Sequence, residues 1–260
     1  MARLPRSTYY YYAMREVQDK YEAVRKTIHE LHQKNYKRYG YRRMTAAVRR
    51  EGFSINHKTV SRLMKEEGII CTVRMKRYRS YKGEIGEKAP NLLERDFNAT
   101  EPNQKWVTDI TEFHLFGSKV YLSPIIDLHN GEIISYTISD HPRFNDVMTM
   151  LSLAFEKIPN NTNLILHSDQ GWQYRMKSYS DELHSKGVRQ SMSRKGNCLD
   201  NAMVEGFFGH LKAELLYNQK FNSVEHFVDC LHEYLRYYNQ DRLRSSLGYL
   251  TPIEYRLKTV

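Results

Sequence analysis

Cysteine is scarce in this 260-residue chain: Cys71, Cys198 and Cys230 are odd in number and far apart. They draw no disulfide framework, and reduced cytosolic thiols are expected. Cys-x-x-Cys is missing too, so His29 and His32 lack partners for a tetrahedral zinc site and are read as helix-surface residues. No apolar run is long enough to span a membrane. The start, MARLPRSTYYYY, is basic and aromatic where a signal peptide would be apolar. A cytoplasmic protein without membrane attachment is therefore expected. Internal repeats and low-complexity tracts are also absent, which excludes a repeat architecture.

Positive charge, by contrast, is plentiful and unevenly spread within a net +10. Residues 1–100 hold 23 Lys+Arg against 11 Asp+Glu, a surplus of 12, whereas residues 101–260 hold 17 against 19. A basic part joined to a near-neutral body suits a polyanion-binding module attached to a catalytic one. A merely soluble basic surface gives the same count, so charge alone does not decide.

Residues 15–38 place Val17, Tyr21, Val24, Ile28 and Leu31 at steps of four and three, predicting an amphipathic packing helix that stops at Gly40. In YGYRRMTAAVRREGFSINHKTVSRLMKEEGI (39–69), Met44, Ala47 and Val48 line a helix ended by Gly52. Asn56 then caps a second helix, buried through Val60, Leu63 and Met64 and ended by Gly68. This predicts a helix-turn-helix whose second helix exposes Lys58, Thr59, Ser61, Arg62 and Lys65. These types suit phosphates and base edges, although many helix pairs never touch DNA. RMKRYRSYK (74–82) adds five basic residues, Arg74, Arg77 and Arg79 among them, and two tyrosines. Such interleaving suits DNA backbone neutralisation with base stacking, and equally a solvated tether. Low hydrophobicity to Thr100, with Pro90 and Pro102, marks a domain boundary.

From Gln104 on, the pattern predicts strands over 105–115, 119–128 and 132–139, then a helix over 144–157 and a strand over 163–168. A helix over 176–186, a short strand over 188–192 and a helix over 200–217 follow. Turns at Gly117 and Gly131 make the first three strands an antiparallel meander. The order is that of an α/β, RNase-H-like fold, a mixed five-stranded sheet with helices on both faces. SVEHFVDCLHEYLRYYN (223–239) supplies a last helix that packs on this core. The expected divisions are 1–72 for the all-α helix-turn-helix domain, 73–101 for a basic linker, 102–220 for the catalytic core and 221–260 for a helical extension.

Three acids sit where such a sheet gathers them. Asp109 lies in the β-prone KWVTDITEF (105–113), and Asp169 ends the apolar LILHSD (164–169). Glu205 lies in DNAMVEGFFGHLKAELL (200–216), a helix that an Asp can cap. Any one alone reads as a solvated charge, since the chain has 30 acids. Two carboxylates from neighbouring strands and one from a helix suit two hard cations about 4 Å apart, which activate a nucleophile and stabilise a leaving oxygen in phosphodiester chemistry. Oxygen ligands without a Cys/His cluster favour Mg²⁺, with Mn²⁺ as a substitute. Gly209 and Lys212 follow Glu205 at four and seven residues, on nearly the same helix face. The glycine admits a DNA backbone, and Lys212 suits a phosphate about 10 Å from Glu205, although by itself it reads as a solvated lysine beside an acid. By strand alternation His167 shares the face of Asp169 and, with Asn201 and Trp172, is a candidate for orienting the acids, although a buried strand histidine is more often structural. Asp127 and Asp200 are decoys, the first at a strand end and either structural or a support to the acids from behind, the second a helix cap.

WVTDIT, HSDQGWQY and GNCLDNAMVEGFFGHLKAEL resemble the three acidic blocks of the DDE transposase and retroviral-integrase superfamily. More narrowly, they are similar to the OrfB-type transposases of bacterial insertion-sequence family three. The likeness runs from near Tyr9 to Arg256 and includes the family's spacing of 35 residues between the last two acids. It extends to the helix-turn-helix segment and to YNQDRLRSSLGYLTPIEYR (238–256), which resembles the carboxy-terminal signature in Tyr238, Asn239 and Arg242. Arg244 stands where many relatives have His. The resemblance implies that Asp109, Asp169 and Glu205 are catalytic metal ligands. It implies water attack that frees a 3′-hydroxyl, then direct transesterification into a second strand, without a covalent enzyme intermediate or ATP. Implied partners are the terminal inverted repeats of a mobile element, a target duplex, a homo-oligomer on DNA, and an upstream helix-turn-helix product, fused or separate. A nucleoid-associated place in the cytoplasm follows. Among rival readings, a tyrosine recombinase or a non-catalytic DNA-binding regulator leaves the acids unexplained. A plain nuclease shares the hydrolytic half and differs only in failing to join strands.

Overall fold

The computed structural model describes residues 5–6, 19–73, 89–160, 162–194 and 201–259. They form two compact units, Met1–Thr72 and Val73–Val260. In the first, α1 (Glu22–Lys34), α2 (Tyr41–Arg50) and α3 (His57–Glu66) bury one apolar stripe each. Ile28, Met44, Val48, Val60 and Leu63 are completely enclosed. Gly52 and Gly68 end α2 and α3 at φ of 92° and 64°, a region that favours glycine. Asn56 Oδ1 accepts the Lys58 N–H at 2.9 Å and so caps α3.

Two expectations for α1 fail. The helix stops at Lys34 rather than Gly40, because the Asn35 side chain bonds back to the Leu31 carbonyl at 2.9 Å and the Lys37 N–H reaches the His32 carbonyl at 2.9 Å. With its last carbonyls satisfied, the chain turns through Tyr36 and Lys37 at φ of 53° and 61°. His32 is buried rather than on the surface, and burial lowers its pKa. Arg25 gathers Asp19, Glu66 and Glu67 at 2.5–2.6 Å and so ties α1 to the end of α3.

The second unit is built on β1 (Lys105–Thr108), β2 (Thr111–Leu115), β3 (Ser118–Asp127), β4 (Ile133–Ser139), β5 (Ile165–Ser168) and β6 (Arg189–Met192). Antiparallel β3 joins β4 on one side to β1 and β2 on the other, and parallel β5 and β6 follow β1. The strand expected over 105–115 is thus split at Asp109–Ile110. Both pieces hold one register on β3, Thr108 opposite Ile125 and Thr111 opposite Leu122. The cause is local: the Ile110 N–H turns to Asp109 Oδ1 at 2.7 Å, a side-chain competitor of the sheet ladder. Five strand positions result, as the sequence pattern suggests.

Helices α4 (Phe144–Phe155) and α5 (Lys177–Ser185) cover Trp106, Ile125, Leu164 and Leu166. A second layer comprises α6 (Ala202–Leu211) and α7 (Val224–Gln240), with Phe113 against Phe227 at 5.1 Å. The Asn239 amide clasps the Ile133 backbone at 2.9 and 3.0 Å, fastening α7 to β4. Thr251 and Glu254 form a capping box at α8 (Pro252–Thr259). Of the stretch read as linker, residues 89–101 are described. Pro90 accepts the Met192 N–H at 3.2 Å, and Leu93 is buried. Among the described residues, no helix is long and apolar enough to cross a membrane. Replacing Asn56 with Ala should cost about 1 kcal/mol of stability in the first unit, and Asn56→Asp far less. Thermal melts of the three proteins read this directly.

Candidate active site

Parallel pairing of β1 with β5 sets Val107 opposite His167, so two residues further on Asp109 and Asp169 emerge side by side past the strands' carboxyl ends. Adjacent strands lie about 4.8 Å apart, which is a close approach for two carboxylates. Each is held by its own loop. Asp109 Oδ1 takes the Ile110 N–H, while Asp109 Oδ2 takes Asn201 Nδ2 at 3.0 Å. Asp169 Oδ1 takes the Gly171 N–H at 2.8 Å. Gly171 is required by close approach: a Cβ there would stand 2.9 Å from Asp169 Oδ1 and 2.7 Å from Gln173 Nε2.

Burial, then the Asp169 carboxylate, then Glu205 push the Asp109 pKa up to about 8; the Ile110 N–H and Lys212 pull against them. Asp169 is raised as well, chiefly by burial, against the Gly171 N–H. Glu205 lies in the first turn of α6 and is half-buried. Asn201 precedes that helix with its side chain spent on Asp109 rather than on capping, and its buried Oδ1 has no hydrogen-bond partner. Among the described residues, no three His, Cys, Asp or Glu side chains are drawn into a ready-made ion cage. The donors are nonetheless all oxygen, crowded and mutually repelling, which fits a hard divalent cation.

Lys212 follows on from α6 with its Nζ 5.7 Å from the centre of the Phe113 ring. Burial lowers its pKa, and the Glu112 and Asp109 carboxylates oppose that. The helix expected over 200–217 is in fact α-helical only to Leu211, and a π-helical turn spans Lys212–Leu216. Gly209 is exposed, with nothing within 4 Å of an added Cβ. His167 is fully buried, and its Nδ1 meets Ser191 Oγ at 2.8 Å. Trp172, grouped with His167 and Asn201 from sequence, is 53% exposed on a short 3₁₀ turn.

Asp127 sits at the far end of β3 and is wholly buried, accepting the Asn103 and His129 N–H groups and an Arg256 guanidinium at 2.8–3.0 Å. Its work is structural. Asp200, Arg74, Arg77 and Arg79 lie outside the described residues. In the first unit Lys58 is exposed and Thr59 half-buried. Arg62 is exposed but bonds Glu66 at 2.6 Å and lies over Tyr21. The sequence reading missed Glu214, which is buried and meets Arg242 in two hydrogen bonds at 2.7 and 2.8 Å. Its position was a signal, for it continues the buried stripe of Val204, Phe207 and Leu211, where an acid needs a partner. Arg244 donates to the Asn130 carbonyl and packs against Gly131, which leaves no room there for a Cβ.

Comparison with known proteins matches residues 19–77 to an HTH-like domain, and residues 99–198 and 205–260 to integrase core domain models. Escherichia coli (strain K12) InsK, named as a transposase for insertion sequence element IS150, is 53% identical over 99% of this chain and 92% of its own length. A transposase-like protein of Haemophilus influenzae is 47% identical over 81% of this chain and 97% of its own. A chain in the cryo-EM structure of the simian T-cell lymphotropic virus intasome, solved with PP2A regulatory subunit B56 gamma, superposes with a TM-score of 0.52. It covers 88% of this chain and 74% of that one at 17% identity, a likeness of fold.

A carboxyl whose pKa rises on folding withdraws stability as pH climbs from its unfolded to its folded value, so Asp109 burdens the metal-free fold most above pH 8. In chelator at pH 8, Asp109→Asn should therefore melt roughly 2–4 °C higher than the native protein for each kcal/mol regained. The isosteric Asp127→Asn should melt lower, because Arg256 loses its buried partner.

Proposed function

This chain belongs to the insertion-sequence transposases that carry an HTH-like domain and an integrase core domain, and on that premise we propose that Asp109, Asp169 and Glu205 hold the divalent ions of its DNA cleavage and strand transfer. The observation that carries this reading is the pair of carboxyls at adjacent strand ends, where burial and the neighbouring acid oppose the ionisation of Asp109. Mg²⁺, or Mn²⁺ in its place, supplies Lewis-acid stabilisation of the attacking and leaving oxygens when bound. The protein's own part is orientation. The Ile110 and Gly171 N–H groups fix one oxygen of each aspartate. Asn201 holds the second oxygen of Asp109, and Glu205 closes the set from α6. Lys212 offers a half-desolvated cation to a DNA phosphate, where its charge counts for more than in water.

The substrates are the inverted-repeat ends of the mobile element and a target duplex. The first unit binds duplex DNA through α3, with Lys58 and Thr59 at its start and Arg62 one turn on, and Arg74, Arg77 and Arg79 add backbone contacts. A homo-oligomer holding paired ends, with an upstream helix-turn-helix product fused or separate, completes the assembly at the nucleoid.

Asp109→Asn, Asp169→Asn and Glu205→Gln should each abolish cleavage and joining of element ends in Mg²⁺ while leaving DNA binding near native, since one lost ligand removes several kcal/mol of transition-state stabilisation. Near-normal strand transfer by any of the three would sink the assignment. Lys58→Ala should lower the salt slope of duplex binding by roughly one. Arg62→Ala should lower it by less, because Arg62 must first leave Glu66. Slopes unchanged by both would remove α3 from the DNA interface.

A further inference from the structure

Residues of the carboxy-terminal signature converge on the far end of the helix that carries Glu205. Glu214 lies in the π-helical turn, 2% exposed, and Arg242 is equally enclosed. Arg242 Nε donates to Glu214 Oε2 at 2.8 Å and Nη2 to Oε1 at 2.7 Å, while Tyr234 Oη adds a third bond to Oε2 at 3.1 Å. The guanidinium lies over the Tyr238 ring at 5.3 Å, and that ring stands edge-on to Phe207 of α6 at 5.0 Å. Asn239 fastens the same stretch of α7 to β4.

A buried ion pair adds little net stability over apolar side chains of the same volume, because desolvation consumes most of the attraction. Its fork geometry does add orientation, since a bidentate pair fixes both partners. A π-turn is also a rare conformation that surrounding structure must hold. Here the Tyr217 N–H spans five residues to the Lys212 carbonyl at 2.9 Å, so the residue that opens the held turn is Lys212 itself. Its ammonium lies over Phe113.

We propose that Arg242, acting through Glu214, is a positioning residue that locks the π-turn and so holds Lys212 over Phe113 at the acidic site. The proposal rests on the reading of Asp109, Asp169 and Glu205 as the reacting acids. Loss of the lock leaves the fold standing and lets Lys212 swing away from the DNA backbone.

The test uses the full chain with its lysines ¹³C-methylated, and follows the NMR signal that vanishes in Lys212→Ala. In the native protein the Phe113 ring shifts that signal upfield. Glu214→Leu combined with Arg242→Met keeps the buried volume and should melt close to the native protein. Its Lys212 signal should return to the position of a solvated lysine. Nicking of supercoiled plasmid in Mn²⁺ should fall about ten-fold in kcat with little change in KM, and adding Lys212→Ala should cost nothing more, because the two changes act on one group. Arg242→Lys keeps the charge but loses the fork, and should show the same shift in part; it decides the matter alone if the double variant does not fold. A native Lys212 signal in a folded variant overturns the proposal, as does a loss that multiplies independently with Lys212→Ala. Failure of the site reading looks different: Asp109→Asn would still nick, whatever the Lys212 signal does.

Discussion

Asp109 and Asp169 stand at the ends of adjacent parallel strands, and the sheet that puts them there must bear their repulsion. Around that constraint the local structure makes sense. The first strand opens at Asp109 because its carboxylate takes the next backbone N–H, and Gly171 is small because Asp169 occupies the space of a Cβ. Asn201 gives up its capping position to donate to Asp109. Each of these arrangements stabilises charge at a place where folding alone would avoid it. Acids perturbed by burial and by one another mark a candidate functional site.

The rest of the second unit works as a rigid mount for this pair. Trp106, Met150, Leu166 and Tyr174 form a closed core beneath the strand ends. Asp127 anchors the opposite end of β3 to Arg256 and to two loop N–H groups. The Glu214–Arg242 pair does the corresponding work for α6, where the third acid and Lys212 sit on one continuous element. The first unit is held by another charge cluster around Arg25, yet its groups are half-buried or exposed, so that cluster adds geometry more than stability.

Much of this was legible in the sequence. Three β-prone runs with glycine turns at 117 and 131 marked the meander, and the RNase-H-like order of elements placed the Asp169 strand beside the first. Asn56, Gly52 and Gly68 marked the helix ends of the first unit correctly because their reasons are local. What escaped was tertiary. Nothing in KWVTDITEF announces a broken strand, since the break comes from the acid's own side chain. The turn at Tyr36–Lys37 lacks glycine and is held instead by Asn35 and by carbonyls of the preceding helix. Glu214 needed a partner 28 residues away, and only the fold brings Arg242 to it.

If the strand-end carboxyls hold divalent ions, the metal itself can be located. Anomalous diffraction from a crystal soaked in Mn²⁺ reads this most directly, because it locates the ion without reference to activity or to any DNA sequence. A strong peak between Asp109 and Asp169, with Glu205 drawn toward it, is the expected result. Manganese found only elsewhere on the protein, with the two aspartates bare at saturating ion, would contradict it.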